Sequence, residues 1–376
     1  MENDGPAILE DATAVQRGRA GQIFLIRVDG DSRIGMGHVA RMLVLARSLR
    51  TSGVGDPTFF MRPGPTAANL VREAGFTVFE VEGIDEPGPL PADIQILAPT
   101  LVIADLYEPS DSHLARLRAL GRVIYMSSLD DIERNVDAII NGDIRHGKFK
   151  PLRNAAGAFC FLGTDVFVLG AAYGRTVTRP AVLATPDPRR VLISLGGADY
   201  LNATPAILES LDALDASKYA FEVELILGPA HVSTPAFEAC VSRFQKPCRL
   251  VRSPSSLHPH LAAADLAIIG GGFTLYEAAA TGLPALVLCQ ATHQESTARR
   301  FEEAGSCIHL GMADDPQAIA RLGPGLCGLL RDPRLRDRMS RAGCDLVDGR
   351  GVERVTRFIQ GALDNLDGIH HQDFWA

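Results

Sequence analysis

Along this chain, short apolar runs alternate with stretches whose apolar residues recur every third or fourth position. The first run, residues 23–28, has the length and content of a buried strand. A polar, glycine-rich turn covers 29–37. From His38 onward, Val39, Met42, Leu43, Ala46 and Leu49 form one face of a helix, and Gly53 is placed to end it. The same reading predicts strands at 58–62, 77–81, 101–105, 123–126 and 138–140, with helices at 69–75 and 110–120. Strands alternating with helices in this way predict a parallel sheet covered on both faces.

Residues 174–190 lose the period and gather prolines and threonines, as an interdomain linker does. The alternation then restarts. Strands are predicted at 191–195, 221–227, 249–252, 266–269 and 284–288, with helices at 206–214, 258–264, 274–281 and 296–304 and a helical C-terminal stretch. The predicted organisation is a flexible arm (1–20), an N-terminal α/β domain (21–175), a linker (176–190), a C-terminal α/β domain (191–362) and a polar tail (363–376). Two Rossmann-like parallel sheets of this kind are expected to face a cleft, with ligands at the carboxyl ends of the strands. Four turns fall at such ends: 29–37, 105–107, 196–199 and 270–277.

Composition narrows the class. The chain has 376 residues, more than one typical domain, and 46% hydrophobic content, enough for substantial cores. A net charge of −8 argues against a nucleic-acid partner. No apolar run reaches the roughly 18 residues of a membrane span, and the acidic N-terminus lacks the apolar segment of a signal peptide. The seven cysteines form no metal-ligand or redox pair, which points to reduced thiols and a cytoplasmic location. Asp130 and Asp131 are sequential neighbours and so a poor metal pair; no metal or other cofactor is expected. Oligomeric state is not legible.

The candidate chemistry lies in the turns. Gly35, Gly37 and the helix start behind them could bind an anion, and the same field favours a neutral imidazole at His38, able to accept a proton. The plain alternative is a glycine turn that only satisfies backbone geometry. Gly270–Gly272 would let a diphosphate approach the backbone, beside Phe273 and Thr274, and Glu277 could accept from both ribose hydroxyls. Thr274-x-x-Glu277 is equally a capping box, as is Thr292-x-x-Glu295. Gly196 and Gly197 form a second candidate phosphate turn or an ordinary strand–helix loop. His293 opens a polar cluster that either points into the cleft or is simply exposed.

Taken together, Arg27-x-Asp29, Ile34-Gly35-x-Gly37-His38, Arg41, Asp105-x-Tyr107, Ser128-x-Asp130-Asp131, Gly196-Gly197-x-Asp199, Glu277 and Gln294-Glu295-Ser296-Thr297-Ala298 resemble the UDP-sugar hydrolase family of pseudaminic-acid biosynthesis. That family has the GT-B architecture. It is related to the glycosyltransferase that adds N-acetylglucosamine in lipid II synthesis and to spore-coat polysaccharide proteins. The resemblance implies inverting hydrolysis of a nucleotide-activated amino or deoxy sugar, with His38 activating water and Tyr107 contacting the sugar. It also implies Glu277 on the nucleotide, Gly271, Gly272 and Phe273 along the diphosphate, and Asp29, Arg41, Asp105, Gln294 and Glu295 as substrate contacts. His293, a candidate catalytic residue that would hydrogen-bond the sugar or share the proton work, stands where the family usually has Asn, Asp31 where Ser is common, and Gly170 where an arginine is expected. An inverting glycosyltransferase and a non-catalytic nucleotide-sugar binder are the alternative functions. Uracil would be read near 249–253.

Overall fold

The computed structural model describes residues 23–31, 36–85, 88, 90–127, 131–175 and 190–365. The expected arm, most of the expected tail, nearly all of the linker, Gly35, Ser128 and Asp130 lie outside the described residues. The chain divides into two compact units, residues 1–171 with 350–376, and residues 172–349.

The first unit opens with strand β1 (Phe24–Val28), helix α1 (Gly37–Thr51), β2 (Thr58–Met61), α2 (Pro65–Glu73), β3 (Val78–Glu80) and α3 (Ala92–Ile96). Next come β4 (Leu101–Asp105), α4 (Asp111–Leu120), β5 (Arg122–Met126), β6 (Ala138–Asn141), β7 (Lys150–Arg153) and β8 (Phe159–Leu162). Its sheet runs β3-β2-β1-β4-β5-β6-β8-β7, parallel except where β7 pairs antiparallel with β8. β7 escapes the sequence pattern because it carries Pro151, which a ladder tolerates at an edge, and β7 is the edge. Strand β1 is buried along its whole length, as a strand covered on both faces must be. Helix α1 ends as expected, with Gly53 in the left-handed region at φ 68°.

The second unit contains β9 (Arg190–Ser194), α5 (Thr204–Asp212), β10 (Glu222–Leu227), α6 (Pro235–Arg243), β11 (Cys248–Arg252), α7 (His258–Ala263) and β12 (Leu266–Ile269). It continues through α8 (Phe273–Ala280), β13 (Ala285–Cys289), α9 (Thr292–Glu303), β14 (Cys307–Met312), α10 (Pro316–Arg331) and α11 (Pro333–Leu346). Its six-stranded sheet is wholly parallel, in the order β11-β10-β9-β12-β13-β14.

One domain boundary differs from the sequence expectation, which placed 191–362 together. The last helix, α12 (Gly351–Asn365), packs with the first unit. Val352, Val355, Phe358, Ile359 and Ala362 are buried in the same core as Leu45 and Leu49 of α1. Phe358 packs against Phe161 with tilted rings whose centroids are 4.1 Å apart, and Thr356 Oγ1 donates to Ser48 Oγ at 2.8 Å. Large apolar side chains stabilise by about 1.5–3 kcal/mol each when fully buried, so α12 is an integral part of that core.

Both sheets reverse direction of build-out at one point, between β1 and β4 in the first and between β9 and β12 in the second. Ligands of open α/β sheets bind at the carboxyl ends beside such switch points.

Candidate functional site

In the first unit the register pairs Val28 with Asp105, so the carboxyl end of β4 lies beside the end of β1. His38 and Arg41, three residues apart near the start of α1, share a helix face and converge on that carboxylate. Asp105 Oδ1 takes His38 Nδ1 at 2.6 Å and Arg41 Nη2 at 2.5 Å, and Arg41 Nε donates to Oδ2 at 2.8 Å. Burial pushes the Asp105 carboxyl up, but Arg41 and His38 outweigh it and hold the group below its ordinary range. An ionised carboxylate can only accept, so His38 Nδ1 carries the hydrogen and donates. In the neutral ring that leaves Nε2 as a proton acceptor, and Nε2 has no protein partner among the described residues.

The arrangement gives two of the expected residues a role within the protein. Asp105 is fully buried and Arg41 nearly so, and they are bound to each other. Asp105 is thereby placed to orient His38, and Arg41 to hold Asp105. The sequence reading named all three residues but missed that they form one cluster; the signal was the acidic residue ending a buried strand, LVIAD.

Beside this cluster a cavity of about 180 Å³ is lined by Asp29, Arg62, Asp85, Asp105, Leu106, Tyr107, Glu108, Pro109, Ser110 and His113. That is many times the roughly 10–15 Å³ that admits one water. Tyr107 is 48% exposed at its edge. Asp29 accepts from the Arg62 backbone N–H at 2.8 Å and from Arg62 Nε at 3.0 Å, and pairs with Arg27 at 2.7 Å. Burial opposes its ionisation, but Arg27 and Arg62 prevail and lower its pKa. Arg62, Asp85 and His113 were not singled out in the sequence. Burial, reinforced by Arg27, pushes His113 down to about 4, so it is neutral near pH 7. Glu108 adopts φ 46°, an uncommon conformation for a non-glycine residue. Asp131, half of the doubtful metal pair, is held by Arg134 Nε at 2.7 Å.

In the second unit the turn after β12 leads straight into α8. Gly272 is the N-cap and provides no side-chain cap, and the Leu275 N–H donates to the Gly272 carbonyl at 3.0 Å. Neither capping box forms. Thr274 lies inside α8, and Glu277 turns to the Tyr173 hydroxyl, which donates to Oε1 at 2.7 Å. Thr292 is likewise helical, with Ala291 at the N-cap of α9. Glu277 is half-buried, and burial pushes its carboxyl up to about 7 although the Tyr173 hydroxyl pulls it down.

Gly271 is required by space: a Cβ there would lie 2.9 Å from Cys289 Sγ and 3.1 Å from Gln294 Cβ. Gln294 in turn accepts the Gln290 N–H through Oε1 at 2.9 Å, so its side chain braces the turn. Gly271→Ala should therefore lower stability by about 1–3 kcal/mol and weaken nucleotide binding; thermal unfolding and UDP titration check both. A variant as stable as the parent would show that the turn yields freely.

The other candidates separate. Gly196 has φ 89°, and Gly197 accepts from the Ala230 N–H at 2.9 Å. Asp199 takes the N–H groups of Ala203 and Thr204 at the start of α5, both at 2.8 Å. That helix start is already satisfied by protein, which is the behaviour of an ordinary strand–helix loop. Glu295 pairs with Arg299 at 3.7 Å, and His293 is exposed in the first turn of α9. Arg249 in β11 is exposed, and Ser253 just beyond has φ 45°. The described candidates thus fall into two sets, Asp29, Gly37, His38, Arg41, Asp105 and Tyr107 on the first unit and the remainder on the second.

The two α/β units have counterparts among solved structures. Acinetobacter baumannii MurG superposes with a TM-score of 0.63 at 14% identity, over 90% of this chain and 99% of that one. The fold is GT-B. An S. aureus MnaA–UDP co-structure gives a TM-score of 0.59 at 13% identity, covering 91% and 97%. The spinosyn rhamnosyltransferase SpnG complexed with thymidine diphosphate gives 0.57 at 17%, covering 92% and 100%. By sequence this GT-B chain is 26% identical over 346 residues to the spore coat polysaccharide biosynthesis protein SpsG of Bacillus subtilis, covering 89% of this chain and 97% of that protein. It is 24% identical over 274 residues to an uncharacterized protein of Methanocaldococcus jannaschii, covering 70% of this chain and 55% of the archaeal protein. No protein-family model matches. Among the described residues, no helix is long and apolar enough to cross a membrane.

Proposed function

We propose that this GT-B protein transfers a glycosyl group from a nucleoside-diphosphate sugar to an acceptor hydroxyl, with inversion. The observation that carries the reading is His38, held by the buried Asp105–Arg41 pair so that Nε2 is offered as a base. The glycine turn and the start of α8, which carries no side-chain cap, suit the diphosphate, and Glu277 suits the ribose hydroxyls. Nucleotide diphosphates are good leaving groups. The protein must therefore spread the developing charge and deliver a nucleophile to the opposite face. His38 Nε2 takes the nucleophile's proton as its oxygen bonds to the anomeric carbon, while the bond to the diphosphate oxygen breaks. One displacement inverts the centre.

The likeness to SpsG, named for spore coat polysaccharide biosynthesis, and to glycosyltransferase structures supports an organic acceptor. A second reading, in which water is the nucleophile and the protein is a hydrolase, draws support from the ordered motifs shared with the UDP-sugar hydrolase family. Incubation with UDP-, CMP- and dTDP-sugars, with and without hydroxyl acceptors, separates the two. Nucleotide released only with an acceptor is the expected result. Release without one establishes the hydrolase, and binding without release in either case overturns the enzymatic reading.

A further inference from the structure

Tyr173 belongs to none of the motifs that the sequence reading drew on. It lies in a short 3-10 turn, Tyr173–Arg175, and is only 5% exposed. Its ring meets His258 of α7 edge-on, with centroids 4.8 Å apart, which fixes the side chain on one flank. Its hydroxyl spends its hydrogen on Glu277 Oε1 at 2.7 Å. The second carboxylate oxygen, Oε2, has no protein partner among the described residues.

We infer that Tyr173 is a positioning residue of the nucleotide site, holding Glu277 by Oε1 so that Oε2 meets the ribose hydroxyls of a ribonucleoside diphosphate. The inference rests on the nucleotide reading above and adds the residue that aims the acceptor. Without Tyr173 the Glu277 side chain would have several rotamers to choose from, and one end of a helix–turn segment would lose its tether.

The same geometry makes nucleotide affinity depend on pH. A carboxylate accepts from a diol with either oxygen, whereas its acid form loses an acceptor. Among the described residues, these groups pack around Tyr173 and α8. α7 brings His258 against Tyr173; α11 brings Gly343 against Ala279, with Ser340 and Cys344 near Gly282; β12 and β13 present apolar residues. Burial and the Tyr173 hydroxyl therefore set where Glu277 titrates, at about 7. Affinity should rise with pH through neutrality, and removing the hydroxyl should move that rise upward.

The test uses the full chain, UDP as probe, and Tyr173→Phe, which keeps the ring that packs on His258. UDP affinity is measured calorimetrically across the neutral range, and the Glu277 carboxyl is followed by carbon NMR with and without UDP. The expected result is a Tyr173→Phe affinity near neutral pH about three- to ten-fold weaker, the scale of one net hydrogen bond, with the rise displaced to higher pH. Glu277→Gln should bind weakly at every pH, with no rise. Tyr173→Phe and parent curves that superimpose overturn the inference, as does UDP binding that leaves the Glu277 titration unmoved. If no nucleotide binds while Tyr173→Phe still shifts the Glu277 titration, the nucleotide reading itself has failed, and the inference falls with it.

Discussion

His38→Asn is expected to lower turnover by about a hundred-fold or more, the usual worth of a positioned general base, while UDP binds as before. The split between chemistry and binding follows from the structure. His38 belongs to the first unit and the α8 turn to the second, and asparagine can still donate a hydrogen bond to Asp105 from a shorter side chain. What it lacks is the basic Nε2. Single-turnover assays with the donor found in the panel, beside UDP titration of the same variant, make the measurement. Near-parental turnover would falsify the assignment of His38 as the base.

The second large effect is expected at Asp105, and it concerns folding as much as catalysis. Asp105→Ala leaves the Arg41 guanidinium buried with its principal counter-charge removed. Breaking a buried pair in this way costs about 3–5 kcal/mol, far more than an exposed ion pair contributes. The pH dependence has a definite sign. The carboxyl's pKa is held below its ordinary value in the folded chain. Its stabilisation is therefore present above the ordinary aspartate pKa of about 4 and disappears as pH falls through the folded value. Urea denaturation of parent and variant should show a wide gap near neutral pH that narrows in acid. A gap independent of pH would mean that lost packing, not lost charge pairing, sets the cost. The variant should also be slow, because His38 loses the acceptor that fixes its tautomer.

Much of this was legible from the chain because parallel α/β sheets write themselves plainly. Buried strands such as LVIAD are continuous apolar runs, and their carboxyl ends are marked by glycine or acid. The two switch-point turns were found for that reason. Pairing was harder. Asp105 and His38 are 67 positions apart, and only the register of β1 against β4 reveals that one serves the other. Local pattern also misled where one motif has two physical uses. Thr274-x-x-Glu277 has the spacing of a capping box, yet Gly272 starts the helix and Tyr173, 104 positions away, claims the glutamate. Arg62, Asp85 and His113 carried no signature, because single charged residues after strands and in first turns are ordinary until a fold gathers them around a cavity.

The return of α12 to the first unit has a consequence for how the chain is made. Its apolar stripe announces a buried helix but not which core receives it. Synthesis runs from the N-terminus, so α1 and β8 leave the ribosome with one flank bare. They remain so until every residue of the second unit has been added. The second unit, residues 172–349, is contiguous and can close as soon as it emerges. The part that begins first is thus completed last, and Phe161, Leu45 and Leu49 await the arrival of Phe358 and Ile359.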